Sequence, residues 1–348
     1  MSPVLVELIV VVVKILVVIA VIFLTVLGLT LAERRVSGFI QDRLGPNRVG
    51  PQGFLQPIAD AIKFFVKEDI IPSHVEKLFY VLAPGIILVP ALMTFAVIPF
   101  GDQIITYFGN VETAIRFQVA DLNVGVLYIV AIASLGVYGL VIGGWSSNNK
   151  YSLMGGLRSS SQMISYEIPM GLALVSVLMM SGSLRLQDVV YDQYQLWNVF
   201  RQPLAFIIFL VAAFAETNRL PFDLPEAEQE LVGGYHTEYS SMKFSSFMLA
   251  EYINLITSSA LIVTLFFGGW HIPFGILEAL DLPVLWEQLL QIISFAVKTG
   301  LVIFFYLWVR WSLPRFRFDQ LMRLGWKSLV PLGLANIVLT AIVMAIFV

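Results

Sequence analysis

The first long apolar stretch of the chain runs from residue 5 to residue 32 and consists of LVELIVVVVKILVVIAVIFLTVLGLTLA. A helix crosses the hydrocarbon core of a bilayer with about 20 mostly apolar residues, so this stretch is long enough to span a membrane. A cleaved signal peptide is not expected here, because the apolar run is too long, Glu7 makes its start acidic, and no small-residue cleavage site follows it. The sequence therefore begins with a predicted membrane span.

Composition extends this prediction to the whole chain. Its 348 residues are 58% hydrophobic and only 13% charged, whereas a soluble globular domain is about 25% charged. This excludes a water-soluble enzyme. We predict an all-α polytopic membrane protein, a single integral membrane domain over residues 1–348. Its eight spans are predicted at 5–32, 78–100, 121–144, 162–182, 196–215, 244–268, 288–311 and 327–348.

The basic residues predict how these spans are oriented. The connecting loops at 33–77, 145–161, 216–243 and 312–326, with the flanking Arg310 and Lys327, contain 16 of the 21 Lys and Arg residues. The opposite side has only Arg116, Arg185 and Arg201. Loops rich in Lys and Arg stay in the cytoplasm. We therefore expect both termini on the outer side of a bacterial plasma membrane.

The chain offers few ligands for a redox centre. It has no Cys, which excludes disulfides, iron–sulfur ligation and cysteine nucleophiles. A membrane cytochrome b needs paired His in apolar helices, and none of His74, His236 and His271 lies in a long apolar run. We expect no cofactor or metal on this chain.

The first cytoplasmic loop combines charge with Gly-Pro turns. As a basic cluster beside the membrane, residues 33–51 would contact anionic lipid. Glu33 at the membrane edge and the turns at Gly45-Pro46-Asn47 and Gly50-Pro51 instead favour a fixed path. The following segment, Gly53–Lys67, has apolar residues at helical spacing and predicts an amphipathic helix in the interface.

Carboxylates lie near the cytoplasmic ends of four spans: Glu33, Glu167, Glu216 and Glu251. Glu167 and Glu251 are about 8–10 Å inside their helices at 1.5 Å per residue. Ionisable groups at such depth mark ion, proton or polar-substrate pathways. The alternative is structural pairing with Lys or Arg of a neighbouring helix or of another protein in a complex.

The loop at 216–243 is acidic although it lies on the basic side, with six acids against Arg219 and Lys243. Glu226 and Glu230 share a face if the segment is helical, and like charges and burial both raise carboxylate pKa values. Carboxylates that titrate nearer neutrality suit a proton relay. A solvated charge run is the alternative, although Pro221-Phe222-Asp223-Leu224-Pro225 favours a folded loop.

Three blocks of sequence resemble one family along the whole chain. They are Glu33-Arg34-Arg35 with 43–51, then 216–228 continuing to Thr237-Glu238-Tyr239-Ser240, and 314–322 (PRFRFDQLM). The chain is similar to the quinone-chamber membrane subunit of proton-pumping NADH:quinone oxidoreductase, respiratory complex I. The resemblance implies one component of a multisubunit enzyme. Quinone would be its substrate, and FMN and iron–sulfur clusters would lie in partner subunits.

The resemblance also implies roles for particular residues. A quinone cavity and its entrance would be lined by Glu33, Arg34, Arg43, Asp60, Arg219, Phe222, Tyr252 and Arg317. A chain of acids leading toward the pumping subunits would comprise Glu167, Glu216, Asp223, Glu226, Glu228, Glu230 and Glu251. Contacts with hydrophilic-arm subunits, small membrane subunits or the acidic path would involve Arg35, Arg48, Lys298, Arg310 and Arg315. Membrane lipid is a further expected partner, and nucleic acid is not.

Other functions remain open at this point. The equivalent component of a membrane-bound hydrogenase or a related reductase would share the Pro-Phe-Asp and Glu-Ala-Glu blocks. A proton-coupled secondary transporter would have broken helices with polar sites at the bilayer midplane, whereas the acids here lie at the cytoplasmic edge. A structural scaffold would not need acids inside the membrane.

Overall fold

Helices build almost the whole fold. The computed structural model describes residues 3–108, 111–272 and 283–347. Its helices are α1 (Pro3–Ile40), α2 (Gln56–Val66), α3 (Lys77–Thr94), α4 (Gly125–Ser146), α5 (Lys150–Ser181), α6 (Leu186–Asp192), α7 (Asn198–Arg201), α8 (Pro203–Glu216), α9 (Glu228–Leu231), α10 (Ser241–Phe266), α11 (Val284–Ser312), α12 (Phe318–Arg323) and α13 (Val330–Phe347). Strands β1 (Gln103–Phe108) and β2 (Val111–Arg116) form an antiparallel ribbon in which Gln103 pairs with Arg116. The predicted all-α membrane class is confirmed.

Seven helical segments of the described residues are long and apolar enough to cross a membrane. Six of them lie in α1, α3, α4, α5, α10 and α11. The seventh, Phe318–Ile346, joins α12 and α13 through a π-helical turn at Leu324–Leu329. The remaining predicted span, 196–215, corresponds to the short α7 and the 14-residue α8, so the count of eight is not confirmed.

A buried glutamine explains why the fifth predicted span, 196–215, is divided into two short helices. Gln202 separates α7 from α8, and Pro203 begins α8. The buried Gln202 amide donates to Thr340 Oγ1 at 2.9 Å and accepts from Asn336 Nδ2 at 3.1 Å. Because α13 satisfies this side chain, the chain leaves helical geometry at a place where the apolar pattern alone predicts continuity.

Two helices extend further into the polar regions than predicted. Helix α1 continues eight residues past the predicted end of the first span, to Ile40. The predicted loop 145–161 is helical from Lys150, where the Asn149 side chain accepts a hydrogen bond from the Tyr151 amide and caps α5. An N-cap of this type satisfies an otherwise free helix amide. These extensions place charged residues on rigid helices.

Helix α10 is the most enclosed of the long spans. Of its most apolar stretch, 72% is buried, compared with 17% for α1. The groups on α10 are therefore surrounded by other elements.

Helices α3 and α4 meet where a Cβ on Gly139 would lie 2.9 Å from the Ile87 amide nitrogen, an approach that only a small residue permits.

The predicted amphipathic helix forms as α2. Its C-terminal end is tied to the start of α10, because the Ser241 hydroxyl donates to the carbonyls of Phe64 and Lys67, both at 2.9 Å. Ile58, Ile62 and Phe65 remain exposed on its surface. The loop before α2 is folded, with Gly53 at φ +77° and its would-be Cβ 2.1 Å from the Pro46 carbonyl oxygen. The expected fixed path of this loop is thereby confirmed.

Candidate functional site

A buried carboxylate of α1 lies at the centre of the site. Glu33 is 7% exposed, and its Oε2 accepts a hydrogen bond from the Tyr252 hydroxyl at 2.8 Å. Its Oε1 contacts Arg310 Nη1 and lies 3.3 Å from Arg219 Nη1. One side chain thus joins α1, α10, α11 and the loop after α8.

Arg219 lies between two carboxylates. In addition to Glu33, it approaches Glu251 of α10, with 2.8 Å from Nε to Oε1. Its guanidinium lies 4.5 Å from the centre of the Tyr252 ring, within cation–π distance. The two carboxylates raise the pKa of Arg219 although burial opposes this. With Arg310, the cluster contains two arginines and two glutamates.

A glutamine of α5 fixes the loop that carries Arg219. The Gln162 amide donates to the carbonyls of Ala215 and Phe222, both at 2.7 Å, and lies 3.2 Å from Asn218 Oδ1. Phe222 is 4% exposed and packs against Tyr166 and Phe316. Gln162 is not among the site residues predicted from the sequence, because a single amide in an apolar helix does not indicate which backbone it will bind.

Asp223 forms a second ion pair beside the central cluster. Its Oδ2 accepts a hydrogen bond from Arg315 Nη2 at 2.7 Å. Burial raises the pKa of Asp223 to about 6, and the charge of Glu226 acts in the same direction, while Arg315 opposes both. This carboxyl can therefore gain or lose a proton close to neutral pH.

Glu226 behaves differently from Asp223. Burial would raise the pKa of Glu226, but His236 at 3.3 Å, together with the charges of Arg219 and Arg310, lowers it below its ordinary value. His236 is also not among the site residues predicted from the sequence. Its position inside an acidic loop was the available signal.

Glu167 and Glu216 lie among polar groups of neighbouring helices. Glu167 accepts a hydrogen bond from Ser134 of α4. Glu216 lines a cavity of about 40 Å³ with Thr217, Asn254 and Ser258. A cavity of this size has room for a water molecule, and these polar groups could bind it.

The two remaining acids predicted for the proton path in the acidic loop both belong to α9. Glu230 is mostly exposed and pairs with Arg158 of α5 at 2.5 Å. Glu228 lies in α9, and its side chain is outside the part that the structure describes.

The predicted entrance residues Arg34 and Asp60 lie where the C-terminal end of α1 meets α2. Arg34 Nη1 contacts Asp60 Oδ2 at 2.5 Å and so joins α1 to α2. Arg35 donates to the Gln52 carbonyl at 2.6 Å. The side chains of Arg43, Arg48 and Arg317 are exposed.

Lys298 is separate from this site. Its ammonium donates to the carbonyls of Phe267 and Gly269 at 2.9 and 3.0 Å, just beyond the far end of α10, and lies 4.8 Å from the Trp197 ring centre. It therefore binds the chain's own backbone. Arg310, the other cation with which sequence analysis grouped it, joins the acidic cluster through Glu33.

Comparison with known proteins identifies the family. Residues 13–341 match the family model described as NADH dehydrogenase. The chain belongs to this family. It is 52% identical to an H-type NADH-quinone oxidoreductase subunit of Cytophaga hutchinsonii, over 91% of this chain and 92% of the relative. It is 53% identical to subunit 8 of the Rhodothermus marinus enzyme, over 93% and 94%. It is also 52% identical to an H-type subunit of the Geobacter metallireducens enzyme, over 96% and 95%.

Family membership confirms the predicted resemblance to this membrane component of NADH-quinone oxidoreductase and assigns the chain to an oxidoreductase complex. Within the described residues, no group of three or more His, Asp or Glu side chains is arranged to hold a metal ion. The buried side chains of the site instead form ion pairs and hydrogen bonds with one another.

Replacing His236 by Gln is expected to raise the pKa of Glu226, because the hydrogen bond and charge that oppose burial are removed. A lowered carboxyl pKa contributes stability at pH values above the ordinary 4.5, and that contribution is lost as pH falls through the lowered pKa. The variant should therefore unfold at a lower temperature than wild type near neutral pH. The difference should disappear in acid. Thermal unfolding of the purified protein from about pH 2.5 to pH 8 measures this.

His74→Gln is the matched control, because His74 faces Glu238 at 3.9 Å outside this cluster and is half exposed. It should change the unfolding profile little. A difference between the His236 variant and wild type that is constant across the pH range would contradict the assigned effect on Glu226.

Proposed function

We propose that this chain forms the entrance and lower part of a quinone cavity and couples quinone reduction to proton movement through buried carboxylates. Reduction of a quinone to a quinol takes up two electrons and two protons, so the charge near the headgroup changes in each turnover. Closely spaced carboxylates respond to such a change through their pKa values. Partner subunits would deliver the electrons.

The observation that carries this proposal is the position of Arg219 between Glu33 and Glu251. Glu33 is one residue from Arg34, which pairs with Asp60 on the predicted entrance helix α2. Arg219 and Arg310 act electrostatically on Glu226 as well. A change of charge on the entrance side would therefore be felt by Glu251 and Glu226 through the intervening guanidinium groups.

Apolar surfaces near this cluster suit an isoprenoid tail. A notch of about 520 Å³ lies beside the cytoplasmic end of α1, lined by Arg35 and by the apolar side chains of Val36, Phe39, Ile40, Phe304 and Trp308. The exposed apolar face of α2 lies on the same loop. Together they would let a tail enter from the bilayer while polar groups contact the headgroup.

The proposed setting is the bacterial plasma membrane, with both termini outside and the basic loops in the cytoplasm. The exposed Arg48 and Arg317 would then be available to hydrophilic-arm subunits. Neighbouring small membrane subunits would cover part of the apolar helix surface. The complex as a whole would be a proton-translocating NADH:quinone oxidoreductase.

Replacing Glu251 by Gln in the assembled complex tests the proposal. Gln keeps the size of the side chain but cannot carry a proton or a negative charge opposite Arg219. We expect NADH-driven quinone reduction and proton transport to fall by roughly 10²-fold, the lower end of the effect of losing a proton-transferring group. Both rates are measured in proteoliposomes, and Glu228→Gln is tested in parallel.

Glu68→Gln is the control, because Glu68 is an exposed acid on the same predicted face and outside the ion pairs of the site. Its rates should equal those of wild type. Wild-type rates of quinone reduction and proton transport in both Glu251→Gln and Glu228→Gln would contradict the proposed coupling role.

A further inference from the structure

A second apolar cavity lies toward the opposite end of α1 from Glu33. It has a volume of about 490 Å³ and lies between α1, α11 and the segment that follows α3. We call it the outer groove and define it by Val17, Val21, Phe95, Phe117, Phe295 and Ile303. Within the described structure it shares no lining residue with the carboxylate site.

Two basic side chains line the outer groove, and they differ in their partners. Arg116 contacts Asp121, which also accepts a hydrogen bond from Arg185 Nε at 2.8 Å. Lys14 forms no ion pair with any residue that the structure describes. The groove therefore combines apolar walls with an ammonium group that no described carboxylate neutralises.

Lys14 lies deep within the predicted first span. It lies nine residues inside the predicted first span, or ~14 Å along α1 from the outer end of that span. An ammonium group within a span is costly and marks a functional site unless it reaches a polar partner. A Lys side chain can run along apolar surface toward the headgroup region, and Arg116 lines the same cavity.

We propose that the outer groove binds one anionic phospholipid. Its acyl chain would lie along the apolar wall, and its phosphate would contact Lys14, with Arg116 beside it. Gly300 of α11 also lines this wall. A Cβ at this position would meet no atom within 4 Å, so the helix backbone is open to the groove there. The charge of Lys14 selects an anionic headgroup over a zwitterionic one.

The test uses the intact, delipidated complex with phosphatidylglycerol or phosphatidylcholine added back, and counts retained lipids by native mass spectrometry. Lys14→Gln should lower the preference for phosphatidylglycerol about fivefold, which corresponds to ~1 kcal/mol per basic side chain. Lys14→Arg should keep it. Gly300→Leu should displace the acyl chain, whereas Gly171→Leu should not, because Gly171 is equally open but lies on α5 outside the groove.

Several outcomes would overturn the proposal. One is an unchanged lipid preference in Lys14→Gln. Another is retained lipid in Gly300→Leu. The third uses the absence of native cysteine: a single cysteine at Val17 that cross-links to another protein of the complex would show that a protein segment occupies the groove. Removing a charge from a span favours membrane insertion, so Lys14→Gln is expected to assemble.

Discussion

Replacing Arg219 by Gln is expected to destabilise the chain by ~3–5 kcal/mol, the usual effect of removing one partner from a buried ion pair. Arg219 is 4% exposed, and Glu33 is 7% exposed. Without the guanidinium, Glu251 loses its cation at 2.8 Å, and Glu33 keeps one cation, Arg310, together with the Tyr252 hydroxyl. The loss of stability is measured by thermal unfolding of the purified complex, with a spectroscopic signal that reports the tertiary structure of this chain.

Variants of the same pair separate charge from shape. Arg219→Lys keeps one positive charge but cannot contact both carboxylates, so its loss should be intermediate. The double variant Arg219→Gln with Glu251→Gln restores the charge balance and should recover part of the stability. Arg34→Gln is the exposed control: its ion pair with Asp60 is half exposed, and such pairs contribute about 0–1 kcal/mol.

A loss below about 1 kcal/mol in Arg219→Gln would contradict the buried cluster, because that is the range of solvent-exposed pairs. Failure of the double variant to recover any stability would instead show that Arg219 acts through packing on Tyr252. The two results distinguish an electrostatic role from a steric one.

The polarity and depth of the acids can be predicted from the sequence, but their partners cannot. Glu33 and Glu251 stand out in the sequence alone, because few charged residues occur in apolar helices. Their pairing with Arg219 depends on how residues 217–223 fold beneath α5, where Gln162 binds the backbone. A hydrogen bond between residues 53 positions apart has no local signature.

The fifth span illustrates a limit of the hydropathy argument. Apolar content predicts residues 196–215, but the structure divides this stretch at Gln202, whose amide bonds to α13. Hydropathy describes the transfer of isolated side chains from water to an apolar phase, so it does not include a hydrogen bond to a partner on another helix. The same reason explains Lys298, whose backbone partners lie 27–31 residues away in sequence.

Gly234→Ala is expected to disrupt the acidic loop with a cost of roughly 2–5 kcal/mol, the sum of a left-handed backbone penalty and a steric clash. Gly234 has φ +61°, and a Cβ there would lie 1.7 Å from the Pro225 carbonyl oxygen. That oxygen belongs to rigid backbone, so the loop must move. Glu226 and His236, which flank this contact, would lose their 3.3 Å approach.

Hydrogen exchange of residues 217–240 and NADH-driven quinone reduction measure this effect together. Protection of the loop should fall, and coupled turnover should fall with it, because the carboxylates are held by this backbone contact. Gly171→Ala is the matched control: a Cβ at Gly171 meets nothing within 4 Å, and Ala favours a helix over Gly by ~1 kcal/mol. Wild-type protection and turnover in Gly234→Ala would mean that the loop has a second arrangement compatible with function, and the geometry of Glu226 and His236 would then not determine coupling.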